Sequence, residues 1–191
     1  MARILILNGH PDPSPARLSA ALAEAYARGA RAGGHSVARL DVGALDLSPV
    51  ASAEEFLAVP PPQAVAVQDA IRDCDHLVLI FPLWLGGAPA KLKAVLEQVF
   101  RYDFALSTAD GAPRGLLSGR SARLVVTMGM PAPIFRWIFG ANGLKALSRG
   151  VFWLSGFRPV RETILGGVPP EGAKVDGRWL SRMEALGRAA A

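Results

Sequence analysis

Apolar residues in this chain follow two patterns: short unbroken runs, and longer stretches in which they recur every three or four positions. The clearest run is 77–81, LVLIF, which no polar residue interrupts. An unbroken run of this length is expected of a central parallel strand covered on both faces, and Pro82 cannot donate to a continuing ladder, so the strand is predicted to stop there. Over 90–100, Leu92, Val95, Leu96, Val99 and Phe100 take the spacing of one helical face, with Lys91, Lys93, Glu97 and Gln98 turned mostly elsewhere. Between strand and helix lies an aromatic, glycine-rich loop, 82–88.

The same two periods predict strands over 3–8, 36–41, 76–81, 122–128 and 160–165, and helices over 16–32, 64–73, 90–100, 133–154 and 179–190. Gly33-Gly34 end the first helix, the prolines at 60–62 stop whatever precedes them, and a turn is expected at 110–113. Gly140, Gly143 and Gly150 interrupt the apolar stretch 133–154. Strict alternation of strand and helix, with right-handed crossovers, predicts a single α/β domain over 1–191. Its expected form is a doubly wound, five-stranded parallel sheet in the flavodoxin-like order 2-1-3-4-5.

Composition narrows the function classes. At 191 residues, 51% hydrophobic and 19% charged, the chain is long enough for one sizeable core and too apolar to be disordered. Pro82, Gly86, Gly87 and Pro89 interrupt its most apolar uncharged run, which is too short to span a bilayer. The apolar start breaks at Asn8 and Gly9, too early for a signal peptide. A cytoplasmic protein without a membrane span is therefore expected. The formal charge of +5 is spread along the chain and forms no basic stripe, which argues against nucleic acid and leaves a weak attraction for anionic ligands. His10, His35 and His76 have no metal-ligand spacing, so no metal centre is expected; Cys74, the one cysteine, reads as packing at a helix end.

In a sheet of this order ligands bind outside the carboxyl ends of strands 1 and 3, with strand 4 beside them. The first loop empties into a helix N-terminus, where free amides and the helix dipole favour a phosphate, and Ser14, Arg17 and Ser19 offer further donors. The alternative is that Ser14 or Asp12 merely caps the helix and Arg17 faces water; no Walker motif or G-x-G-x-x-G decides between them. In the second loop Trp84 and Leu85 offer flat apolar surface, and Gly86 and Gly87 allow close approach of a planar ligand, unless the aromatic simply packs. In the third, Thr127-Met128-Gly129-Met130, the amides of Gly129 and Met130 either face an anionic ring edge or form a tight turn before Pro131.

The opening strand with Gly9-His10-Pro11 joins Phe81-Pro82-Leu83-Trp84, Gly87-Ala88-Pro89-Ala90-Lys91-Leu92-Lys93, Phe104-Ala105 and Thr127-Met128-Gly129 in a pattern with a known likeness. Together they resemble the flavodoxin-like NAD(P)H:quinone oxidoreductase family, including its shorter bacterial members. The resemblance implies a bound flavin, FMN or FAD, with the compact chain favouring FMN. His10, Ser14, Arg17 and Ser19 would lie near its phosphate or ribityl chain; Pro82, Leu83, Trp84, Leu85 and Gly86 along the isoalloxazine edge; Thr127, Met128, Gly129 and Met130 at the pyrimidine end. It also implies hydride transfer from NAD(P)H through the flavin to a quinone or similar small acceptor by a ping-pong mechanism, in a homodimer.

Two departures bear on the substrate pocket. Phe135 stands where larger relatives have a tyrosine, with no histidine after it, and Leu106 replaces the tyrosine usual after Phe104-Ala105. Leu106 and Phe135 are thus the expected pocket residues, neither able to donate a proton. The rival reading from another class is a flavin-binding regulatory subunit of a membrane potassium-efflux transporter, with the apolar segment 134–152 as partner surface. A one-electron carrier fits less well, since carriers of this fold are typically acidic.

Overall fold

The structure is a computed structural model that describes residues 1–109, 111–169 and 176–191. Five strands, β1 (Arg3–Asn8), β2 (Ser36–Asp41), β3 (His76–Pro82), β4 (Ser121–Met128) and β5 (Val160–Gly166), form one sheet in the order β2-β1-β3-β4-β5, with every neighbouring pair parallel. This is the expected order 2-1-3-4-5. The helices are α1 (Leu18–Ala32), α2 (Ala53–Leu57), α3 (Pro62–Asp73), α4 (Ala90–Val99), α5 (Asn142–Leu147) and α6 (Gly177–Arg188).

The unbroken run in β3 has the cause its sequence suggests. Leu77, Leu79 and Phe81 point into a core shared with α3 and α4, while Val78 and Ile80 point into a second core beneath α1 and α6, and none of the five is more than 1% exposed. On the second face α1 and α6 touch almost backbone to backbone. A Cβ on Gly29 would lie 2.0 Å from the Glu184 carbonyl oxygen, and one on Gly187 would lie 2.1 Å from that of Tyr26.

Several boundaries move. β3 runs one residue further than expected, because Pro82 lacks only a donor: it still sits opposite Thr127, and the Leu83 amide donates to the Thr127 carbonyl at 2.8 Å. α1 starts at Leu18, two residues late. The stretch 133–154, expected as helix interrupted at its glycines, is three pieces: a π-turn over Ile134–Ile138, then α5, then a second π-turn over Ser148–Trp153. The break falls at Gly140 and Ala141, whose φ values of 64° and 50° lie in the left-handed region and cannot continue a right-handed helix. Of the turn expected at 110–113, Asp110 lies outside the described residues; the Gly111 amide donates to the Thr108 carbonyl at 3.0 Å.

α2 was not expected. Ser52 Oγ accepts from the Glu55 amide at 3.1 Å and Glu55 Oε2 accepts from the Ala51 amide at 2.8 Å, a variant of the capping box that satisfies two donors at the helix start. At its other end the buried Arg101 guanidinium donates to the carbonyls of Glu55 at 2.8 Å and Ala58 at 2.9 Å. A short antiparallel ribbon, Leu106–Ser107 against Arg114–Gly115, follows α4. No helix among the described residues is long and apolar enough to cross a membrane, and no group of three or more His, Cys, Asp or Glu among them could hold a metal ion.

His76 opens β3 only 2% exposed, with Nδ1 2.7 Å from Ser121 Oγ, its ring stacked on Tyr26, and no hydrogen-bond partner for Nε2. Burial, reinforced by Arg123 and Arg161, pulls its pKa down to about 4. The unfolded chain, with an ordinary histidine, takes up this proton first as pH falls. Stability from this group is therefore complete above about pH 6.5 and is lost toward pH 4. Urea unfolding should show roughly 2 kcal/mol more loss between pH 7 and pH 4.5 in the native chain than in His76→Leu. Equal losses in the two proteins would show that His76 does not set the slope.

Candidate functional site

The loops that leave β1, β3 and β4 all emerge at one edge of the sheet. The first is stitched to β3 by the Gly9 amide, which donates to the Ile80 carbonyl at 2.7 Å. Gly9 is required by this contact, since a Cβ there would lie 2.8 Å from Leu92 Cδ2 and 3.0 Å from Phe81 Cβ. Asn8, fully buried at the end of β1, donates from Nδ2 to Asp41 Oδ1 at 2.7 Å and so ties the end of β1 to that of β2. From the α4 side Lys91 Nζ donates to the Gly43 carbonyl at 2.7 Å.

Asp12 organises the loop from within. One carboxylate oxygen accepts from the Ser14 amide at 2.9 Å and the other from Arg17 Nε at 2.8 Å. These contacts, the Ser14 amide first and Arg17 next, hold the Asp12 carboxyl below its ordinary pKa. His10 Nδ1 lies 3.0 Å from both the amide nitrogen and the carbonyl oxygen of Asp12, which fixes the ring; Nε2 across it makes no hydrogen bond to the described residues. Ser14 Oγ accepts from the Ala16 amide at 3.3 Å, inside the turn, so neither Ser14 nor Asp12 caps α1. Arg17 is the N-cap residue without a side-chain cap, the first turn holds no acidic residue, and the amides of Leu18 and Ser19 find no partner among the described residues. By contrast Ser52 caps α2 and Asp176 caps α6. Ser19 is buried on the inner side of the first turn.

The second loop is a tight hairpin. Trp84 and Gly87 exchange amide-to-carbonyl bonds of 3.0 and 2.9 Å, and Leu85 and Gly86 between them have φ of 47° and 80°, the signature of a type I′ turn. A leucine in the left-handed region costs about 1 kcal/mol, yet Leu85 is wholly exposed and Trp84 is half exposed. Trp84 meets His10 edge to face, ring centroids 6.0 Å apart, which brings the first two loops together.

The third loop is held from the β5 side. The carbonyls of Met128 and Met130 accept from the amides of Val168 at 2.9 Å and Gly167 at 3.0 Å, whereas the amides of Gly129 and Met130 have no partner among the described residues. A Cβ built on Gly129 would meet nothing nearer than the Val168 carbonyl oxygen at 3.8 Å, and one on Gly87 nothing within 4 Å. Neither glycine is demanded by the protein's own packing. Both border open space beside unpaired donors, a setting that fits a flat ligand with an electronegative edge and a phosphate.

The candidates of the three loops thus converge: His10, Ser14, Arg17 and Ser19 around the start of α1, Pro82 to Gly86 on the hairpin, and Thr127 to Met130 opposite. Leu106 and Phe135 do not join them within one chain. Leu106 lies in the ribbon past the carboxyl end of α4, a ten-residue helix about 15 Å long that starts beside the hairpin. Phe135, 2% exposed, is packed in the main core, because its π-turn directs this ring inward while Ile134, Trp137, Ile138 and Phe139 stay exposed. Asn8, Asp12 and Lys91 were not picked out by sequence. Of these only Asp12 carried a signal, since Asp-Pro-Ser favours the turn in which an aspartate accepts from the amide two residues on.

The profile of a family described as flavodoxin-like fold matches residues 2–185. An uncharacterized NAD(P)H oxidoreductase of Haemophilus influenzae is 27% identical, over 86% of this chain and 83% of its own. FMN-dependent NADH:quinone oxidoreductase 3 of Burkholderia lata is 32% identical over 40% of this chain and 33% of its own. The match spans 55% and 48% of the human and guinea-pig quinone dehydrogenases. Among solved structures, the NAD(P)H:quinone oxidoreductase from Methanothermobacter marburgensis superposes with a TM-score of 0.82 at 24% identity, covering 98% of each chain, a likeness of fold.

Proposed function

This chain belongs to the flavodoxin-like fold family, and on that premise we propose that it is a flavin-dependent NAD(P)H oxidoreductase acting on a quinone or similar small acceptor. The observation that carries this reading is the crevice itself, open at Gly87 and Gly129 and lined by unpaired amides beside the uncapped start of α1. The names of the Haemophilus and Burkholderia relatives support it, and the latter name, with the compact chain, favours FMN. When bound, a flavin would supply the redox chemistry between NAD(P)H and the acceptor.

The chain's own part is to bind and orient. The amides of Leu18 and Ser19, with His10 Nε2 and the Ser14 hydroxyl, receive the phosphate end, and Arg17, already neutralising Asp12, keeps that carboxylate from repelling it. Trp84 and the hairpin backbone flank the ring. The amides of Gly129 and Met130, fixed before any charge develops, donate to its electronegative edge. Leu106 and Phe135 carry no acidic hydrogen, so a proton needed by the acceptor comes from solvent. One crevice serves donor and acceptor in turn, and NAD(P)⁺ leaves before the acceptor enters.

The exposed side of the first π-turn, Trp137 at 79%, Ile138 at 75% and Phe139 at 54%, with Ile134, is the apolar face through which we propose that two copies pair.

Three measurements test this function. Titrating apoprotein with FMN should give saturable binding; Gly129→Val should weaken it at least tenfold while leaving the fold intact, since the added Cβ clashes with none of the described residues. Arg17→Ala should weaken it about tenfold, because the Asp12 carboxylate would be left unneutralised beside the phosphate, and native affinity in either folded variant rejects the placement. Steady-state double-reciprocal plots should be parallel, and intersecting plots reject the shared crevice. Sedimentation should show a dimer at micromolar concentration that Trp137→Glu converts to monomer; a monomeric native chain overturns the pairing.

A further inference from the structure

We propose that Gly143, the second residue of α5 and far in sequence from the three loops, is a positioning residue that sets the Trp84–Gly87 hairpin against the flavin crevice. The proposal rests on the flavin reading above. A Cβ on Gly143 would lie 2.0 Å from the Gly86 carbonyl oxygen and 2.9 Å from both the Gly86 carbonyl carbon and Gly87 Cα. All three are backbone atoms, so no rotamer change relieves the overlap: either the hairpin or the helix must move. Gly143 has no left-handed φ, and glycine is needed there for proximity alone.

The helix is the firmer of the two. Leu144 and Leu147 anchor α5 in the main core, at 0% and 4% exposure. Its entry is fixed by the left-handed pair Gly140 and Ala141, and the Ala141 amide donates to the Phe135 carbonyl at 3.0 Å. The hairpin is bound to the sheet only at its base, through the Leu83 amide, and closed on itself by the Trp84–Gly87 pair. At its tip the amides of Leu85 and Gly86 are unpaired, and Leu85 is bare. The start of α5 is thus the backstop behind a strained hairpin that would otherwise be free to shift, and the hairpin's position decides where the ring edge meets its backbone.

The test is FMN titration of apoprotein, followed by flavin absorbance and fluorescence, with circular dichroism as the check on folding. Gly143→Ala is expected to lower FMN affinity by about tenfold, equivalent to ~1.4 kcal/mol, and to change the visible spectrum of the bound flavin. Gly150→Ala, in the same segment but facing open space, is expected to leave both unchanged. Native affinity and spectrum in Gly143→Ala overturn the proposal, as does an equal loss in Gly150→Ala, which would mean general loosening of the segment. Should Gly143→Ala not fold, Leu144→Val, which trims the anchor nearest the hairpin, should weaken FMN severalfold, and Leu147→Val at the far end of α5 should not; equal affinities in that pair overturn it. Failure of the native chain itself to bind FMN refutes the flavin reading and this proposal with it, an outcome distinct from the others.

Discussion

Because β1, β3 and β4 run in the same direction and are covered on both faces, their ladders end at one edge of the sheet and the chain leaves all three there. The loops that begin at that edge inherit backbone groups the ladder no longer satisfies. Several are recovered by bonds between loops and strands: the Gly9 amide to Ile80, the Leu83 amide to Thr127, and the carbonyls of Met128 and Met130 to the strand-5 side. Those left over include the amides of Leu18, Ser19, Leu85, Gly86, Gly129 and Met130, which are all donors. These spare amides favour electronegative groups on a ligand, and they are placed by topology before any charged side chain contributes.

Charge plays a smaller and more local part. The exposed pairs Arg3 with Asp75, Arg28 with Glu184 and Arg72 with Asp69 lie on the surface, where such pairs stabilise little. The pair that matters to the crevice is Arg17 with Asp12. Asp12 is needed as an acceptor to shape the turn before α1, but its carboxylate sits where an anionic ligand is expected. Pairing with Arg17 keeps the acceptor and removes the repulsion, so one arginine serves both loop geometry and ligand charge.

What the sequence disclosed, and what it hid, follows from the same physics. The run at 77–81 was legible because burial on both faces leaves no polar position to interrupt it, and the order of the strands followed from right-handed crossovers. The resemblance to the flavodoxin-like quinone oxidoreductases named the right family from Phe81-Pro82-Leu83-Trp84 and its neighbours. Within 133–154 the glycines marked where the expected helix is interrupted, and the main break lies at Gly140 with the left-handed Ala141 beside it; the π-turns on either side are too short to show a period. α2 escaped because five residues are too few for a period, although Ser52 and Glu55 carried the capping signal. Phe135 was expected at the pocket by its place in a motif, but an aromatic ring without a polar group there packs into the core of the single chain.

The glycines divide in a way that only three dimensions reveal. Gly9 and Gly143 are pressed against their neighbours: a methyl group at Gly143 would displace the hairpin or α5, and one at Gly9 would crowd the Leu92 side chain and Phe81. Gly87 and Gly129 face space that the chain does not fill. The sequence offered Gly87 and Gly129 for close approach of a ligand, but carried no sign that Gly143 meets the hairpin. The first kind marks where the protein approaches itself, and the second where it leaves room for something else. Under the flavin reading, the residues that frame the crevice and those that leave it open thus lie within a few ångströms of one another. That division lets the framework be rigid while the crevice stays open: the central strands and the α1–α6 contact hold the fold whether or not the loops are occupied.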